Sequence, residues 1–118
     1  MAEILIIDDQ PHLQELLSVD LMDDGLKVVS VTDAQSVSKY LQDSRPDLVL
    51  LNLYLKGFER WDILRDIKAK YPGVPVIIVT AYDNLVDDPR LSNADGYVVK
   101  NFSALDRLKE MIAQFLHN

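Results

Sequence analysis

The chain has 118 residues, of which 48% are hydrophobic and 26% charged, and it contains no cysteine. This balance is typical of one folded domain rather than a disordered chain, and it excludes disulfides and thiolate metal sites. The formal net charge is −7 and the 12 Lys and Arg residues are spread along the chain, so we expect no binding of nucleic acid. The apolar run after Met1 is too short for a signal peptide, and no stretch is long enough to span a membrane. We therefore expect a cytoplasmic protein without membrane contact.

The first part of the chain predicts two strands, each followed by a helix. Ile4–Ile7 predicts the first strand, because the run is short, apolar and rich in branched side chains. Helical spacing then follows at Leu13, Leu16, Leu17 and Leu21. Lys27–Val31 predicts the second strand, and Asp33 is placed to cap a second helix. Runs that are apolar almost throughout favour strands buried on both faces, as in a parallel sheet.

The middle of the chain continues the alternation, with one weak element. Leu48–Leu51 predicts the third strand, a helix that begins near Trp61 follows it, and Val76–Val79 predicts the fourth strand. The segment 84–91 has the position of a fourth helix but carries Pro89 in its middle. Proline inside a helix removes a backbone hydrogen bond and costs about 3 kcal/mol. We therefore expect a short or broken helix there.

The last part predicts a fifth strand and a well-formed helix. Tyr97–Val99 predicts the strand, and Ser103 and Asp106 have the spacing of a capping box at the start of the helix. Alternation of strand and helix predicts an α/β fold. We expect a flavodoxin-like, doubly wound sheet of five parallel strands in the order 2-1-3-4-5, with helices on both faces. Residues 1–118 are expected to form one domain.

Polar residues stand where the central strands end. They are Asp8, Asp9, Asn52, Thr80 and Lys100. Because ligands of open α/β sheets bind outside the carboxyl ends of the strands, these side chains predict a functional site. Adjacent carboxylates provide the hard oxygen ligands that Mg²⁺ prefers, and a lysine suits phosphate or carboxylate.

Four motifs in this order and spacing resemble the receiver domain of two-component response regulators over the full length. They are Ile4–Asp9, Pro46–Leu53, Val76–Ala81 and Ala94–Lys100. The resemblance implies phosphoryl transfer from a histidine kinase to an aspartate at position 52. It also implies Mg²⁺ held by Asp8 and Asp9, with position 52 and the Tyr54 backbone as further ligands.

The resemblance also implies roles for three other residues. Thr80 and Lys100 would contact the phosphoryl oxygens. Thr80 and Tyr97 would form the switch, in which Tyr97 would swing inward on activation. An alternative for Tyr97 is a half-buried strand aromatic. The corresponding alternatives are a helix cap for Asp8 and Asp9, and ordinary strand-end residues for Thr80 and Lys100. His12 and His117 lack ligand-spaced companions and are expected at the surface.

The acceptor position is the main departure from the family pattern, because it holds Asn52. An amide oxygen is a poor nucleophile compared with a carboxylate, and the loss of one negative charge predicts a weakened Mg²⁺ site. Lys56 and Asn101 stand where the family usually has proline, and Arg60 stands where it usually has glycine. These additional departures favour natural divergence over a single engineered substitution.

Two hypotheses of function follow. The first is a receiver-like signalling module of a phosphorelay that acts through protein–protein contact, with phosphorylation absent or blocked at Asn52. The second is an ordinary Asp-phosphorylated receiver captured as an inactive Asp-to-Asn variant. We do not expect an enzyme, although a receiver with Asp at position 52 would catalyse its own phosphoryl transfer. A flavodoxin-type cofactor protein is disfavoured, because Pro11 and His12 occupy the place of a phosphate-binding loop.

The expected partner is a histidine kinase or a downstream signalling protein. Receivers of this type commonly dimerise through the face made by the fourth helix, the fifth strand and the last helix. The fourth helix is weak in this chain, so we expect a monomer or a weak dimer. The aromatics Tyr54, Phe58 and Trp61 lie near the mouth of the site and predict the contact surface instead.

Overall fold

The computed structural model describes residues 2–10, 21–22, 25–82, 87–100 and 104–116. Seven strands lie within these ranges: β1 (Glu3–Ile7), β2 (Lys27–Val31), β3 (Leu48–Asn52), β4 (Tyr54–Leu55), β5 (Phe58–Glu59), β6 (Val76–Thr80) and β7 (Gly96–Val99). The helices there are α1 (Ala34–Asp43), α2 (Trp61–Lys70), the short 3-10 helix Pro89–Asn93 and α3 (Ala104–Leu116). Predictions made for His12, Leu13, Leu16, Leu17, Asn101, Ser103 and His117 lie outside the described residues.

The five long strands form one parallel sheet in the order β2-β1-β3-β6-β7. This arrangement confirms the predicted order 2-1-3-4-5. The inner strands β1, β3 and β6 are buried nearly throughout, whereas β2 lies at the edge and is half-buried. Strand β2 has the predicted bounds, and the other four strands are each one residue longer than predicted. Asn52 and Thr80 are therefore the last residues of β3 and β6 rather than the residues that follow them.

Successive residues of the inner strands face opposite sides of the sheet, and each side has its own core. Leu5, Val49 and Ile78 belong to the core that also contains residues of α1 and α2. Their neighbours along the chain belong to the core that contains α3 residues, as expected for strands whose side chains alternate between faces. Helices therefore cover both faces of the sheet.

The ends of the helices follow the signals in the sequence. Asp33 caps α1, its carboxylate accepting a hydrogen bond from the Ser36 backbone N–H at 2.7 Å. Helix α2 ends at Lys70, before Pro72, as predicted. The weak fourth helix is replaced over its described part by the 3-10 helix that starts at Pro89, and Asp88 caps this turn. Proline fits there because the first helical position needs no N–H donor.

A small hairpin between β3 and α2 was not predicted from the sequence. Strands β4 and β5 pair in antiparallel fashion, and Lys56 and Gly57 form the two-residue turn between them. The φ angles are 55° at Lys56 and 84° at Gly57. Two positive φ angles in a two-residue turn are typical of type I′, and glycine is common at the second position of such a turn. The dipeptide Lys56–Gly57 was thus the available clue.

No helix in the described ranges has the length and apolar character that crossing a membrane requires.

Candidate functional site

Four adjacent strands of the sheet, β1, β3, β6 and β7, bring the predicted site residues to one edge. Asp8 follows β1, Asn52 and Thr80 end β3 and β6, and Lys100 follows β7. Because these strands are parallel neighbours, their carboxyl ends lie side by side. A cavity of about 300 Å³ opens at this edge. Its lining residues are Asp9, Gln10, Asn52, Tyr54, Gly57, Ala81, Tyr82 and Lys100.

Asp8 is the centre of the site and is only 4% exposed. Its Oδ1 accepts hydrogen bonds from the Asn52 Nδ2 at 3.0 Å and from the Gln10 backbone N–H at 2.9 Å. Its Oδ2 lies 3.2 Å from the Lys100 ammonium, whose side chain is largely buried. Burial of a carboxylate is costly unless it is paired and hydrogen-bonded, and this chain supplies both kinds of partner. The structure thus places Lys100 as the counter-charge of Asp8.

The Asn52 side chain bridges two oxygens of the site. Its Nδ2 donates to the Asp8 carboxylate and to the Tyr54 carbonyl, each at 3.0 Å. A carboxylate has no N–H, so an aspartate at this position could make neither bond when ionised. The two oxygens bridged by the amide are also two that the family resemblance assigns to a metal. The Asn52 N–H groups therefore already bind two of the oxygens that would hold a metal.

Asp9 is held differently, by the backbone of the hairpin. Its Oδ2 accepts a hydrogen bond from the Lys56 N–H at 2.7 Å. A carboxylate that accepts a backbone N–H forms a charge-assisted hydrogen bond, which is stronger than a neutral one. Both acids of the pair are therefore hydrogen-bonded by groups of the chain itself.

Thr80 and Tyr97 both form hydrogen bonds to the backbone of Tyr82, which follows β6. Thr80 is fully buried, and its hydroxyl accepts a hydrogen bond from the Tyr82 N–H at 3.2 Å. The Lys100 N–H donates to the Thr80 carbonyl at 2.7 Å, which fixes the start of the loop after β7. Tyr97 is half-buried, and its hydroxyl donates to the Tyr82 carbonyl at 2.6 Å. The loop after β6 is therefore tied to both residues for which the resemblance implies a switching role.

Glu59 organises the outer rim of the site, and sequence analysis missed it. Its carboxylate accepts hydrogen bonds from the Tyr54 hydroxyl at 2.7 Å and the Trp61 Nε1 at 2.9 Å, and it lies 3.6 Å from the Arg90 guanidinium. The Arg90 guanidinium carbon also lies 4.6 Å from the centre of the Trp61 ring. The hydrogen bond to Glu59 raises the pKa of Tyr54 to about 12, and the same bond lowers the pKa of Glu59. No periodic pattern marks such a contact in the sequence.

The aromatic side chains near the cavity differ in exposure. Phe58 is 71% exposed and Tyr82 is 52% exposed. Tyr54 is half-buried, and its ring centre lies 4.6 Å from that of Tyr82. Trp61 is half-buried as well, below Arg90. Of the three aromatics predicted to form a contact surface, only Phe58 is therefore largely accessible.

The oxygen atoms of the site are of the type that Mg²⁺ prefers, but the Asn52 amide is turned with its nitrogen toward them. Asp8, Asp9, the Asn52 amide oxygen and the Tyr54 carbonyl are oxygen ligands of the kind that Mg²⁺ prefers. The Asn52 amide directs its nitrogen toward Asp8 and Tyr54, so half a turn of the amide is needed before its oxygen faces a metal. No group of three or more His, Cys, Asp or Glu side chains suited to a metal occurs in the part of the chain that the structure describes. The residues fit a magnesium ion that has two carboxylate ligands.

The chain is similar in sequence to known proteins. The family model for the response regulator receiver domain matches residues 4–113. The DNA-binding response regulator MtrA of Mycolicibacterium smegmatis is 36% identical over 113 residues, which are 94% of this chain and 47% of MtrA. The probable transcriptional regulatory protein TcrX of Mycobacterium tuberculosis is 32% identical over 102 residues, which are 85% of this chain and 44% of TcrX. The chain thus spans about half the length of the curated relatives it matches.

Solved structures show the same fold. The response regulator TrrA of Thermotoga maritima, crystallised in complex with Mg²⁺-BeF, superposes with a TM-score of 0.87 at 30% identity. That match covers 98% of this chain and 99% of TrrA. A crystal structure of the histidine kinase ThkA in complex with TrrA matches with a TM-score of 0.85 at 31% identity, covering 98% of this chain and 99% of the matched chain. Sequence and topology agree, and the chain belongs to the response regulator receiver domain family.

Proposed function

We propose that this receiver domain signals through protein contact and does not accept a phosphoryl group. The observation that carries the proposal is the buried amide of Asn52, 7% exposed and hydrogen-bonded to Asp8 and Tyr54. Phosphorylation of a receiver requires a carboxylate oxygen that attacks phosphorus and leaves an acyl phosphate. An amide oxygen is neutral, and its nitrogen is committed here to two hydrogen bonds.

The chain retains the other groups that would serve phosphoryl transfer if position 52 were an aspartate. The Lys100 ammonium and the Thr80 hydroxyl are suited to contact phosphoryl oxygens. Mg²⁺, when bound, would neutralise charge on the transferring group. With Asp at position 52 the domain would thus catalyse its own phosphorylation, and with Asn52 we propose that it is not an enzyme.

The proposal is tested by treating the protein with acetyl phosphate and Mg²⁺ and measuring its intact mass. We expect no change, because no carboxylate occupies the end of β3. A stoichiometric gain of one phosphoryl group, mapped by peptide analysis to a residue of this cavity, would contradict the proposal. A receiver with an acceptor aspartate serves as the positive control for the phosphodonor.

We further propose that the domain binds Mg²⁺ weakly, through Asp8 and Asp9 with the Asn52 and Tyr54 oxygens. Asp8, Asp9 and Lys100 sum to a charge of −1, whereas a third carboxylate would make −2. The solved complex of TrrA with Mg²⁺-BeF supports Mg²⁺ binding by a receiver domain of this fold. The weakening follows from the missing charge and from the N–H groups that already bind both acids.

A second candidate is an ordinary phosphorylated receiver that carries an Asp-to-Asn substitution at position 52. The specific observation in its favour is that Asp8, Thr80 and Lys100 remain assembled around Asn52. Sequencing the source gene through codon 52 separates the two candidates. An aspartate codon selects this second candidate, and an asparagine codon selects the first.

The partners that we propose are a histidine kinase or a downstream signalling protein, met in the cytoplasm. The complex of ThkA with TrrA supports a kinase as partner. The relative MtrA is a DNA-binding response regulator, but this chain matches about half of it. With a net charge of −7 and no basic cluster, we propose that residues 1–118 act as one receiver domain that binds neither nucleic acid nor membrane.

We expect the domain to be a monomer or a weak dimer in solution, with its partner contacting the loop from Tyr54 to Trp61. The 3-10 helix Pro89–Asn93 replaces part of the helix through which receivers commonly dimerise. Light scattering over a concentration series measures the oligomeric state. A tight dimer that is abolished by substitutions in α3 or near Pro89, but not by Trp61→Ala, would contradict this prediction.

A further inference from the structure

We propose that the β4–β5 hairpin is a clasp that hydrogen-bonds Asp9 and holds the acidic pair closed to divalent cations. Cation entry then requires release of the turn at Lys56. This inference rests on the proposed magnesium role of Asp8 and Asp9, and it assigns a regulatory function to a hairpin that was not predicted from the sequence.

The contact that closes the clasp is made by the backbone alone. The Lys56 N–H donates to the Asp9 Oδ2 at 2.7 Å, while the Lys56 side chain is exposed. Lys56 has a φ of 55°, a conformation that side chains with a Cβ adopt at a cost. The turn thus accepts backbone strain at Lys56 and presents its N–H to the carboxylate. Proline could neither donate this hydrogen bond nor adopt this φ.

The far end of the hairpin is fastened to the rest of the domain. Tyr54 pairs with Glu59 across the two strands, and the Tyr54 hydroxyl donates to the Glu59 carboxylate. Glu59 also binds the Trp61 indole N–H and faces Arg90, which is paired with Asp88 at 2.7 Å. The Arg60 N–H donates to the Leu53 carbonyl at 2.8 Å, which closes the base of the loop. The turn at Lys56 is therefore held over Asp9 rather than free to drift from it.

The same hairpin contributes to closure at Asp8. The Asn52 Nδ2 that binds Asp8 also binds the carbonyl of Tyr54, the first residue of β4. A cation that used the Asp8, Asp9 and Tyr54 oxygens would compete with the two N–H···O bonds from Asn52 and the one from Lys56. It would also meet the Gln10 N–H and the Lys100 ammonium, which bind the Asp8 carboxylate as well. Because cation and clasp need the same oxygen atoms, each must lower the affinity of the site for the other.

The first experiment measures Mg²⁺ affinity in two variants of position 56. Lys56→Pro removes the N–H and excludes the positive φ, whereas Lys56→Gly keeps both and serves as the matched control without the side-chain charge. Trp61 is the only tryptophan of the chain and lies at the end of the hairpin, so its fluorescence reports the titration. We expect Lys56→Pro to bind Mg²⁺ about tenfold more tightly than Lys56→Gly, a difference of about 1.4 kcal/mol. Equal affinities would overturn the clasp.

Gly57→Val provides a second way to open the turn, in case Lys56→Pro does not fold. A Cβ at Gly57 would meet no atom within 4 Å, so the substitution acts through its φ of 84° and not through a clash. A β-branched residue is strained at such a φ and should release the turn. We expect tighter Mg²⁺ binding than in the parent protein, and unchanged or weaker binding by a folded Gly57→Val variant would count against the proposal.

The second experiment uses no metal and no phosphodonor. Amide hydrogen exchange, followed by NMR, should show the Lys56 N–H protected in the parent protein and at least about tenfold less protected in Asp9→Ala. An unprotected Lys56 N–H in the parent protein overturns the clasp and leaves the proposed function standing. Phosphorylation of the parent protein by acetyl phosphate would contradict the proposed function and leave the clasp standing.

Discussion

Asn52→Asp is expected to turn this domain from a protein that does not accept phosphoryl groups into one that gains a single phosphoryl group from acetyl phosphate in the presence of Mg²⁺. The introduced carboxylate oxygen would form a bond to phosphorus, the bond from phosphorus to the acetate oxygen would break, and acetate would leave. The product is an acyl phosphate at position 52. The reason to expect activity is that Lys100 and Thr80 already lie at the neighbouring strand ends, in the order that the sheet imposes.

The measurement is intact mass after incubation with the phosphodonor, with peptide mapping of the modified residue. Asn93→Asp is the matched control, because Asn93 is exposed on the 3-10 helix and the charge change is the same. The double variant Asn52→Asp with Lys100→Met should accept the phosphoryl group at least about tenfold more slowly, because a positioned charge contributes at least that much to such a step. If Asn52→Asp folds and remains unmodified, the departures at Lys56 and Arg60 have altered the site beyond the acceptor.

The same substitution is expected to destabilise the domain when no divalent cation is present. It removes the two Nδ2 hydrogen bonds to Asp8 and Tyr54, and it places a second carboxylate next to the buried carboxylate of Asp8. Loss of buried hydrogen bonds and repulsion between buried like charges together suggest a loss of about 3 kcal/mol in the free energy of unfolding. For a domain of this size such a loss lowers the Tm by about 10 °C.

Mg²⁺ should reverse much of this loss in Asn52→Asp, because a ligand that binds only the folded state raises its stability with concentration. The parent protein should show a much smaller response to the same Mg²⁺ concentrations. Calorimetry or circular dichroism melts with and without Mg²⁺ measure both effects, and Asn93→Asp again serves as the charge control. Equal Mg²⁺ dependence in the parent and in Asn52→Asp would mean that position 52 does not face the metal, and the site assignment would need revision.

These two predictions use one property of Asn52, namely that its amide donates where a cation would be bound. In the parent protein the Asn52 amide donates to Asp8, which also binds Lys100, and the Lys56 N–H donates to Asp9. These contacts need no metal ion. In Asn52→Asp the same oxygens would lack a donor from position 52, and a cation becomes the group that can satisfy them. Stability without metal and competence for phosphoryl transfer therefore oppose each other at this position.

The sheet, its strand order and the polar residues at its carboxyl edge could be predicted from the sequence. Short runs such as Leu48–Leu51 and Val76–Val79 are apolar without alternation, which indicates burial on both faces whatever the details of packing. Parallel strands place their carboxyl ends on one edge, so that Asp8, Asn52 and Lys100 had to meet once the topology was known. The broken fourth helix was also predictable, because Pro89 acts locally.

The hydrogen-bond partners of those residues could not be predicted, because they depend on tertiary contacts. The direction of the Asn52 amide depends on the Tyr54 carbonyl, whose position follows from a hairpin that no periodic pattern marks. The bond from the Lys56 N–H to Asp9 joins residues 47 positions apart, and composition carries no signal for such a contact. Nothing in the sequence distinguishes Glu59 from other surface glutamates. It stabilises the hairpin only because Tyr54, Trp61 and Arg90 contact its carboxylate in the folded protein. A strand can be predicted because the apolar side chains of a short run indicate burial. A hydrogen bond between loops cannot be predicted in this way, because it depends on the geometry of the folded chain.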